Sequence, residues 1–217
     1  KQFKDEKKPI TSVIHFAGLK SIEDSIKNPL VYWEMNLNSI LALLKVMNEY
    51  SCYNLIFSSS GSVYKHYQKS ISEDCPLEPI SPYGNTKLCI EKILVDIFKS
   101  NNNLWRIASL RYFNPVGAHE SGFIGEDPLI NTSNIFPKLM KVINNESTEL
   151  LIYGSDWPTR DGTCVRDYIH IMDLANAHSA SLLYLLKNNA QYINLNIGSG
   201  KGVTVLELIK TFNRVNK

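Results

Sequence analysis

Tyr83 and Lys87 stand four residues apart in the stretch Ser81-Pro82-Tyr83-Gly84-Asn85-Thr86-Lys87, and these two residue types at this spacing can transfer a proton. Pro82 suits the first position of a helix, which would place both side chains on one face. A tyrosine with its ordinary pKa of about 10 is a poor base, but a neighbouring ammonium favours the phenolate. The same spacing also fits a tyrosine that caps a helix and a lysine in water, so the pair alone does not decide.

The elements around this stretch predict an α/β fold. Short apolar runs typical of buried strands lie at 12–16, 53–57 and 106–112, and helical periodicity spans about 29–50 and 83–100. Strands that alternate with helices at this spacing predict parallel pairing with helices on both faces. Right-handed crossovers then give a doubly wound, Rossmann-like parallel sheet.

Candidate functional residues follow the predicted strands. Gly18 and Lys20 come after the first, Ser58 to Ser60 after the second, and Asn114 after the third. Ligands bind beyond the carboxyl ends of such sheets, so these positions favour a site at that edge. Individually, each residue also fits an ordinary turn, helix cap or strand end.

The second half of the chain predicts a smaller mixed portion. We expect these elements there: a long loop at 117–131, a helix from about 135 to 145, strands at 150–153 and 192–198, an extended segment at 165–170, a helix capped by Asp173 that runs to about 187, and a final helix starting at Thr204.

Composition limits the classes of partner. The 217 residues are 44% apolar and 20% charged, and a net charge of +2 gives no reason to expect nucleic acid or a membrane surface. No apolar run reaches the ~18 residues of a membrane span. The four cysteines are widely spaced, which predicts no metal site and favours free thiols in a reducing, cytoplasmic location.

Several separated strings together resemble the UDP-glucose (UDP-galactose) 4-epimerase family of the extended short-chain dehydrogenase/reductase superfamily. The Tyr-x-x-x-Lys pattern and the serine are shared across the superfamily, whereas the strings at 16–20, 111–119 and 161–170 are more specific to the family. The strings are His15-Phe16-Ala17-Gly18-Leu19-Lys20, Asn36, Ser58-Ser59-Ser60, Tyr83-Gly84-Asn85-Thr86-Lys87, Leu110-Arg111-Tyr112-Phe113-Asn114-Pro115-Val116-Gly117-Ala118-His119, Gly125-Glu126-Asp127-Pro128, and Asp161-Gly162-Thr163-Cys164-Val165-Arg166-Asp167-Tyr168-Ile169-His170.

The resemblance implies an epimerase with tightly held NAD. Tyr83, as phenolate, would take the proton from the sugar 4-hydroxyl while C4 gives up a hydride, and the resulting 4-keto sugar would turn over and be reduced on its other face. Ser60 would hydrogen-bond the 4-oxygen, and Lys87 would hold the nicotinamide ribose and favour the phenolate. The hydride chemistry belongs to the cofactor, and the protein supplies orientation and electrostatics.

The resemblance also implies two sets of binding residues. The set expected to contact NAD is Phe16, Ala17, Gly18, Leu19, Lys20, Asn36, Ser60, Tyr83, Lys87 and Phe113. The set expected to contact the UDP-sugar is Lys20, Ser60, Tyr83, Asn114, Asn134, Ile135, Leu151, Tyr153 and Arg166. Within it, Leu151 and Tyr153 would border the uracil, and the Arg166 guanidinium suits the diphosphate. The simpler alternatives are an Arg166–Asp167 pair and a Tyr153 that fills core.

The chain departs from the family pattern. No G-x-G-x-x-G motif occurs, and the glycine-rich segment 198–202 comes late and is interpreted as a helix-entry loop. The family's first two strand–helix units and a C-terminal segment have no counterpart. We therefore expect 1–114 to form a partial NAD-binding domain, and 115–217 to supply substrate-binding segments with Rossmann elements returning at about 160–200. Alone, this chain should bind NAD poorly and expose a sheet edge.

The sequence bears on three alternative functions. A 4,6-dehydratase would carry an Asp-Glu pair where this chain has Gly61 and Ser62, so dehydration is disfavoured. A UDP-N-acetylhexosamine epimerase stays open. A UDP-sugar-binding module without turnover would suit the missing fingerprint, although Ser60, Tyr83 and Lys87 are all present. By the resemblance, helices 29–50 and 83–100 would pair across a two-fold axis in a homodimer.

Overall fold

The computed structural model describes residues 9–65, 70–126 and 134–216. The Asp127-Pro128 end of one motif and the last part of the predicted 117–131 loop lie outside these ranges. Contacts divide the chain into two compact units, one of Lys1–Tyr112 with Ala175–Ile197 and one of Phe113–Leu174 with Gly198–Lys217. The assignment of cofactor and substrate domains to parts of the chain stays a prediction.

The described elements alternate between strand and helix through most of the chain. In chain order they are β1 (Ser12–His15), α1 (Ile22–Lys27), α2 (Pro29–Glu49), β2 (Asn54–Ser60), a 3₁₀ turn (Gly61–Val63), α3 (Pro82–Ser100), β3 (Arg106–Tyr112), β4 (Asn114–Val116), α4 (Ile135–Ile143), β5 (Val165–His170), α5 (Ile171–Lys187), β6 (Gln191–Ile197), β7 (Gly202–Thr204) and α6 (Val205–Val215).

The first unit contains a four-stranded sheet in the order β1-β2-β3-β6, with every neighbouring pair parallel. The central strands β2 and β3 are buried along most of their length because helices cover both faces there. On one side Leu55 and Phe57 pack with residues of α2 and α3, and on the other Ile56 packs with Leu185 of α5. The predicted α/β fold with a doubly wound parallel sheet is therefore confirmed.

Local signals set where the helices begin. Ser81 caps α3, its Oγ accepting a hydrogen bond of 3.1 Å from the amide of Gly84, and Pro82 takes the first helical position. Thr204 caps α6 in a capping box with Glu207. The prediction that Asp173 caps α5 is wrong, because this helix begins at Ile171 and Asp173 lies in its first turn.

The second unit contains a mixed sheet in which β4 pairs with β5 in parallel and β7 pairs with β5 antiparallel. Two of these strands were not predicted, because β4 and β7 have three residues each. The strand predicted at 150–153 is wrong, since these residues adopt no regular structure. Within the ranges that the structure describes, no helix has the length and apolar character needed to cross a membrane.

Candidate active site

The three serines lie on β2 and not after it, at the carboxyl end of the parallel sheet. Ser59 and Ser60 pair in register with Arg111 and Tyr112 of β3. The Oγ of Ser60 accepts a hydrogen bond of 3.1 Å from the amide of Ser62, which starts the 3₁₀ turn. The strand end and the turn together fix where the hydroxyl of Ser60 lies.

The first turn of α3 brings Tyr83 and Lys87 to these serines. The Ser60 side chain lies close enough to the Tyr83 hydroxyl to lower the pKa of Tyr83. The Lys87 Nζ donates to the carbonyl of Ser58 at 2.7 Å and lies 5.8 Å from the centroid of the Tyr83 ring. Lys87 is only 6% exposed, so the alternative of a lysine in water does not hold. Three predicted catalytic side chains thus converge in one unit.

Gly84 lies between Tyr83 and Lys87 in the sequence, at a point where α3 approaches the 3₁₀ turn closely. Its spacing role was not predicted from the sequence. A Cβ at this position would lie 2.5 Å from the carbonyl oxygen of Ser62 and 2.9 Å from the Cβ of Pro79. Only a residue without a side chain allows the helix to approach the turn so closely. Gly84 therefore sets the separation between the helix that carries Tyr83 and the strand end that carries Ser60.

Burial dominates the electrostatics of this cluster. It raises the pKa of Tyr83, and the nearby Ser60 side chain opposes that rise. It lowers the pKa of Lys87 to about 8, and the charge of Glu91 opposes that fall. Without a cofactor, burial therefore sets the direction of both pKa shifts. The expectation that Lys87 and a bound nicotinamide together favour the Tyr83 phenolate stays a prediction.

A backbone cradle lies beyond β1. Asn36 of α2 accepts from the amide of Leu19 at 2.7 Å and donates to its carbonyl at 3.2 Å and to Thr86 of α3 at 3.1 Å. Gly18 has a φ of 154°, and a Cβ there would lie 3.0 Å from the Oδ1 of Asn36. Phe16 is exposed, with its ring 4.8 Å from that of His178.

Ala17 and Lys20 are also exposed in this segment, so the loop between β1 and α1 presents backbone and side chains to a ligand. This is what a cofactor cradle requires: a loop whose shape is fixed from behind, here by Asn36, and whose open face lacks a Cβ at Gly18. Phe113, the last residue predicted to contact the cofactor, is partly buried in the second unit.

Asn114 and Arg166 lie on neighbouring strands of the second unit. Asn114 Nδ2 donates to the carbonyl of Asp167 at 3.0 Å. The Asp167 carboxylate accepts from the amides of Ser199 and Gly200, both at 2.8 Å. Arg166 is exposed and donates to the carbonyl of Val165 at 3.2 Å. The alternative of an Arg166–Asp167 pair is therefore wrong, since Asp167 instead holds the glycine-rich loop before β7.

The remaining predicted substrate residues surround α4 in sequence. Asn134 precedes the helix and donates to Glu126 at 3.3 Å, and Ile135 is its first residue. Tyr153 is 71% exposed, with the Nζ of Lys138 5.1 Å from its ring centroid. Leu151 is 62% exposed. The alternative that Tyr153 fills core is therefore wrong.

A family model decides the membership of this chain. The model described as "NAD dependent epimerase/dehydratase family" matches residues 1–198. The chain belongs to the NAD dependent epimerase/dehydratase family.

Curated relatives within this family are named as epimerases. UDP-glucose 4-epimerase 2 of Arabidopsis thaliana is 46% identical over 209 residues, covering 94% of this chain and 59% of the relative. UDP-glucose 4-epimerase 2 of Oryza sativa is 45% identical over 207 residues, covering 94% of this chain and 50% of the relative. The chain thus spans only half to three fifths of the length of these relatives.

Solved structures of the family share the fold. UDP-glucose 4-epimerase from Stenotrophomonas maltophila, with bound NAD and formylated UDP-arabinopyranose, superposes with a TM-score of 0.91 at 41% identity. The enzyme from Bifidobacterium longum, in complex with NAD+ and UDP, gives 0.90 at 43% identity. Each match covers 98% of this chain, and 62% and 63% of the respective structures.

Proposed function

We propose that this chain forms the catalytic part of an NAD-dependent UDP-glucose 4-epimerase, which interconverts UDP-galactose and UDP-glucose. The observation that carries the proposal is the convergence of Ser60, Tyr83 and Lys87, with the Ser60 side chain near enough to lower the pKa of Tyr83 and Lys87 buried beside the Tyr83 ring. The relatives named as UDP-glucose 4-epimerases support the choice of substrate.

The chain's own residues supply proton transfer and positioning. Tyr83 takes the proton of the sugar 4-hydroxyl, and Ser60 hydrogen-bonds the same oxygen. Lys87 uses one of its three N–H donors on Ser58, which leaves two for a ribose. When bound, NAD would supply the reversible hydride transfer at C4, while the residues of this chain orient the sugar and move the proton. Proton transfer by a placed side chain contributes about 10²–10⁴ to a rate.

Residues of the first unit fit the cofactor. The exposed segment Phe16 to Lys20 would lie along it, with Asn36 fixing Leu19 from behind and Gly18 leaving room for close approach. Ser60, Tyr83 and Lys87 complete this set, and Phe113 from the second unit is its remaining proposed member.

The proposed UDP-binding residues come from the second unit. Arg166 presents an exposed guanidinium, which can bind a diphosphate through two parallel hydrogen bonds. Asn114, on the neighbouring strand, provides an amide. The exposed side chains of Leu151 and Tyr153 would cover the uracil ring, with Asn134 and Ile135 beside the diphosphate at the start of α4.

We further propose a homodimer located in the cytoplasm. Along α2 the exposed side chains include Leu30, Val31, Met35 and Val46, an apolar surface that pairing of α2 and α3 with a second copy would cover. The described cysteines are free thiols, as in a reducing compartment. Sedimentation of the full-length protein at micromolar concentration should show a dimer, and a monomer throughout would contradict this assembly.

The function is tested by assaying the full-length protein that contains this chain for conversion of UDP-galactose to UDP-glucose, and by releasing bound dinucleotide with acid. We expect turnover and about one NAD per subunit. A protein that binds UDP-galactose without converting it would instead be a UDP-sugar-binding module, and the proposal would be rejected. Conversion of UDP-N-acetylgalactosamine in the same assay defines the tolerance at C2.

A further inference from the structure

Directly behind the serine segment, Glu91 and Arg111 form a buried ion pair. The Nη2 of Arg111 lies 2.7 Å from one carboxylate oxygen of Glu91, and its Nε donates to the other at 3.0 Å. The two residues are 3% and 1% exposed. Burial by itself lowers the pKa of Arg111, but the hydrogen bonds and charge of Glu91, together with Tyr64, outweigh burial and raise that pKa.

This pair is linked to the active site through Ser59. The hydroxyl of Ser59 donates to Glu91 at 2.5 Å, and Arg111 is its register partner on β3. Glu91 lies one turn beyond Lys87 on α3, and Lys87 binds the carbonyl of Ser58. The helix that carries Tyr83 therefore holds two consecutive residues of the strand that ends in Ser60.

The rest of the guanidinium is also engaged. Its Nη1 donates to the hydroxyl of Tyr64 at 2.7 Å and to the carbonyl of Glu73 at 3.2 Å. These contacts tie the segment after the 3₁₀ turn to the same pair. Replacing a buried ion pair by apolar residues is often neutral or stabilising, so stability alone is a poor reason for such a pair. A satisfied network does fix a unique geometry.

We propose that Glu91 and Arg111 are positioning residues for catalysis, holding Ser59 so that the Ser60 hydroxyl and the Ser58 carbonyl stay aligned with Tyr83 and Lys87. The inference rests on the proposed epimerase function. It assigns a role in the reaction to two side chains that touch neither substrate nor cofactor.

The test uses Glu91→Gln and Ser59→Ala in the full-length protein, with Glu23→Gln as the matched control. Glu23 pairs with Lys27 in an exposed ion pair, so its substitution makes the same chemical change away from the site. A misplacement of about 1 Å can cost about 100-fold in rate. We expect kcat to fall at least about tenfold in both variants with KM for UDP-galactose nearly unchanged, and no change in the control.

A Glu91→Leu/Arg111→Met double variant separates positioning from stability. If the pair only stabilises the fold, this apolar replacement restores both the melting temperature and kcat, and the proposal is overturned. If it positions the serines, kcat stays low in a folded protein. Should the double variant not fold, Ser59→Ala, which deletes one hydroxyl, decides alone: a kcat within twofold of the parent overturns the proposal.

Amide hydrogen exchange in peptides covering residues 55–64 measures how firmly the end of β2 is held, independently of catalytic activity. We expect exchange there to quicken about tenfold in Glu91→Gln and not in Glu23→Gln, because the strand end loses its anchor. Unchanged exchange overturns the positioning role even if the protein is inactive. If the parent shows no turnover but exchange is faster in Glu91→Gln, the epimerase function is rejected. The result would still support the link between the Glu91–Arg111 pair and the end of β2.

Discussion

In the unit of 1–112 and 175–197, Tyr83 and Lys87 are buried beside the serine segment, and Lys87 is hydrogen-bonded to it. In the other unit, Arg166 and Tyr153 are exposed. The first pair owes its geometry to the packing of α3 on the sheet, whereas under the proposed function the second would gain its main partners from a ligand. Preorganised groups act on the chemical step and exposed ones mainly on binding. Substitutions in the first unit should therefore change kcat, and those in the second KM.

The largest effect is expected for Lys87→Met. We expect kcat to fall about a thousandfold, because the proton-transferring tyrosine loses its cationic neighbour. The fold should gain about 2 kcal/mol, since a buried ammonium with a pKa lowered to about 8 is removed at the cost of one hydrogen bond. Kinetics and thermal unfolding of the full-length protein test both. Lys92→Met, an exposed lysine of α3, is the control, and a destabilised variant with normal kcat would contradict the comparison.

A smaller effect is expected for Arg166→Leu. Losing charge-assisted hydrogen bonds to a diphosphate should raise KM for UDP-galactose about 10- to 100-fold. The change in kcat should stay within a few-fold, because the reacting groups lie in the other unit. Steady-state kinetics beside Arg214→Leu, an exposed arginine of α6, provides the measurement. A decrease in kcat with unchanged KM would contradict the assignment of ligand binding to the second unit and of the chemical step to the first.

Gly84→Ala tests whether close packing within the first unit positions Tyr83. The added Cβ would meet backbone at 2.5 Å, so α3 must move away from the 3₁₀ turn. Overpacking of this kind costs about 1–3 kcal/mol, and the shift of Tyr83 should lower kcat about tenfold. Gly125→Ala, where a Cβ finds 3.4 Å to Ala118, serves as control. Equal melting temperatures and rates for both variants would refute the close-approach argument.

The smallest effect is a pH dependence of stability. The folded state lowers the pKa of Lys87 from 10.5 to about 8, so between these values the unfolded chain binds more protons. The free energy of unfolding of the parent should therefore rise with pH across this window. The Lys87→Met variant lacks this titration, so the amount by which it is more stable than the parent should decrease. Melting temperatures of both proteins at pH 7, 8, 9 and 10 test the sign. A constant difference would mean that Lys87 titrates normally in the fold.

The main sheet could be predicted because its central strands β2 and β3 contain short apolar runs and are buried along most of their length, and because the helices between the strands have a clear period. The three-residue strands β4 and β7 were missed because so short a segment carries no periodic signal. The apolar run 150–153 looked like a strand, but in the structure it joins no ladder and Tyr153 is exposed.

The candidate site shows a similar split. Tyr83 and Lys87 were predicted from their spacing, and the structure brings them together with Ser60. Glu91 has the same helical spacing from Lys87 and could have been singled out, but its partner Arg111 lies on another strand and becomes visible only when the chain folds. The burial that raises the pKa of Tyr83 could not be predicted, because spacing reveals a neighbouring charge and not how deeply a side chain is buried.

The central claim is that the Tyr83 hydroxyl accepts the proton of the sugar 4-hydroxyl. The most direct measurement is the kcat of the full-length Tyr83→Phe variant for UDP-galactose conversion, beside Tyr50→Phe, which alters an exposed tyrosine. Removing only the hydroxyl should lower kcat at least about a thousandfold and leave KM and folding unchanged, with no effect at Tyr50. A Tyr83→Phe protein that retains kcat within tenfold of its parent would contradict the account.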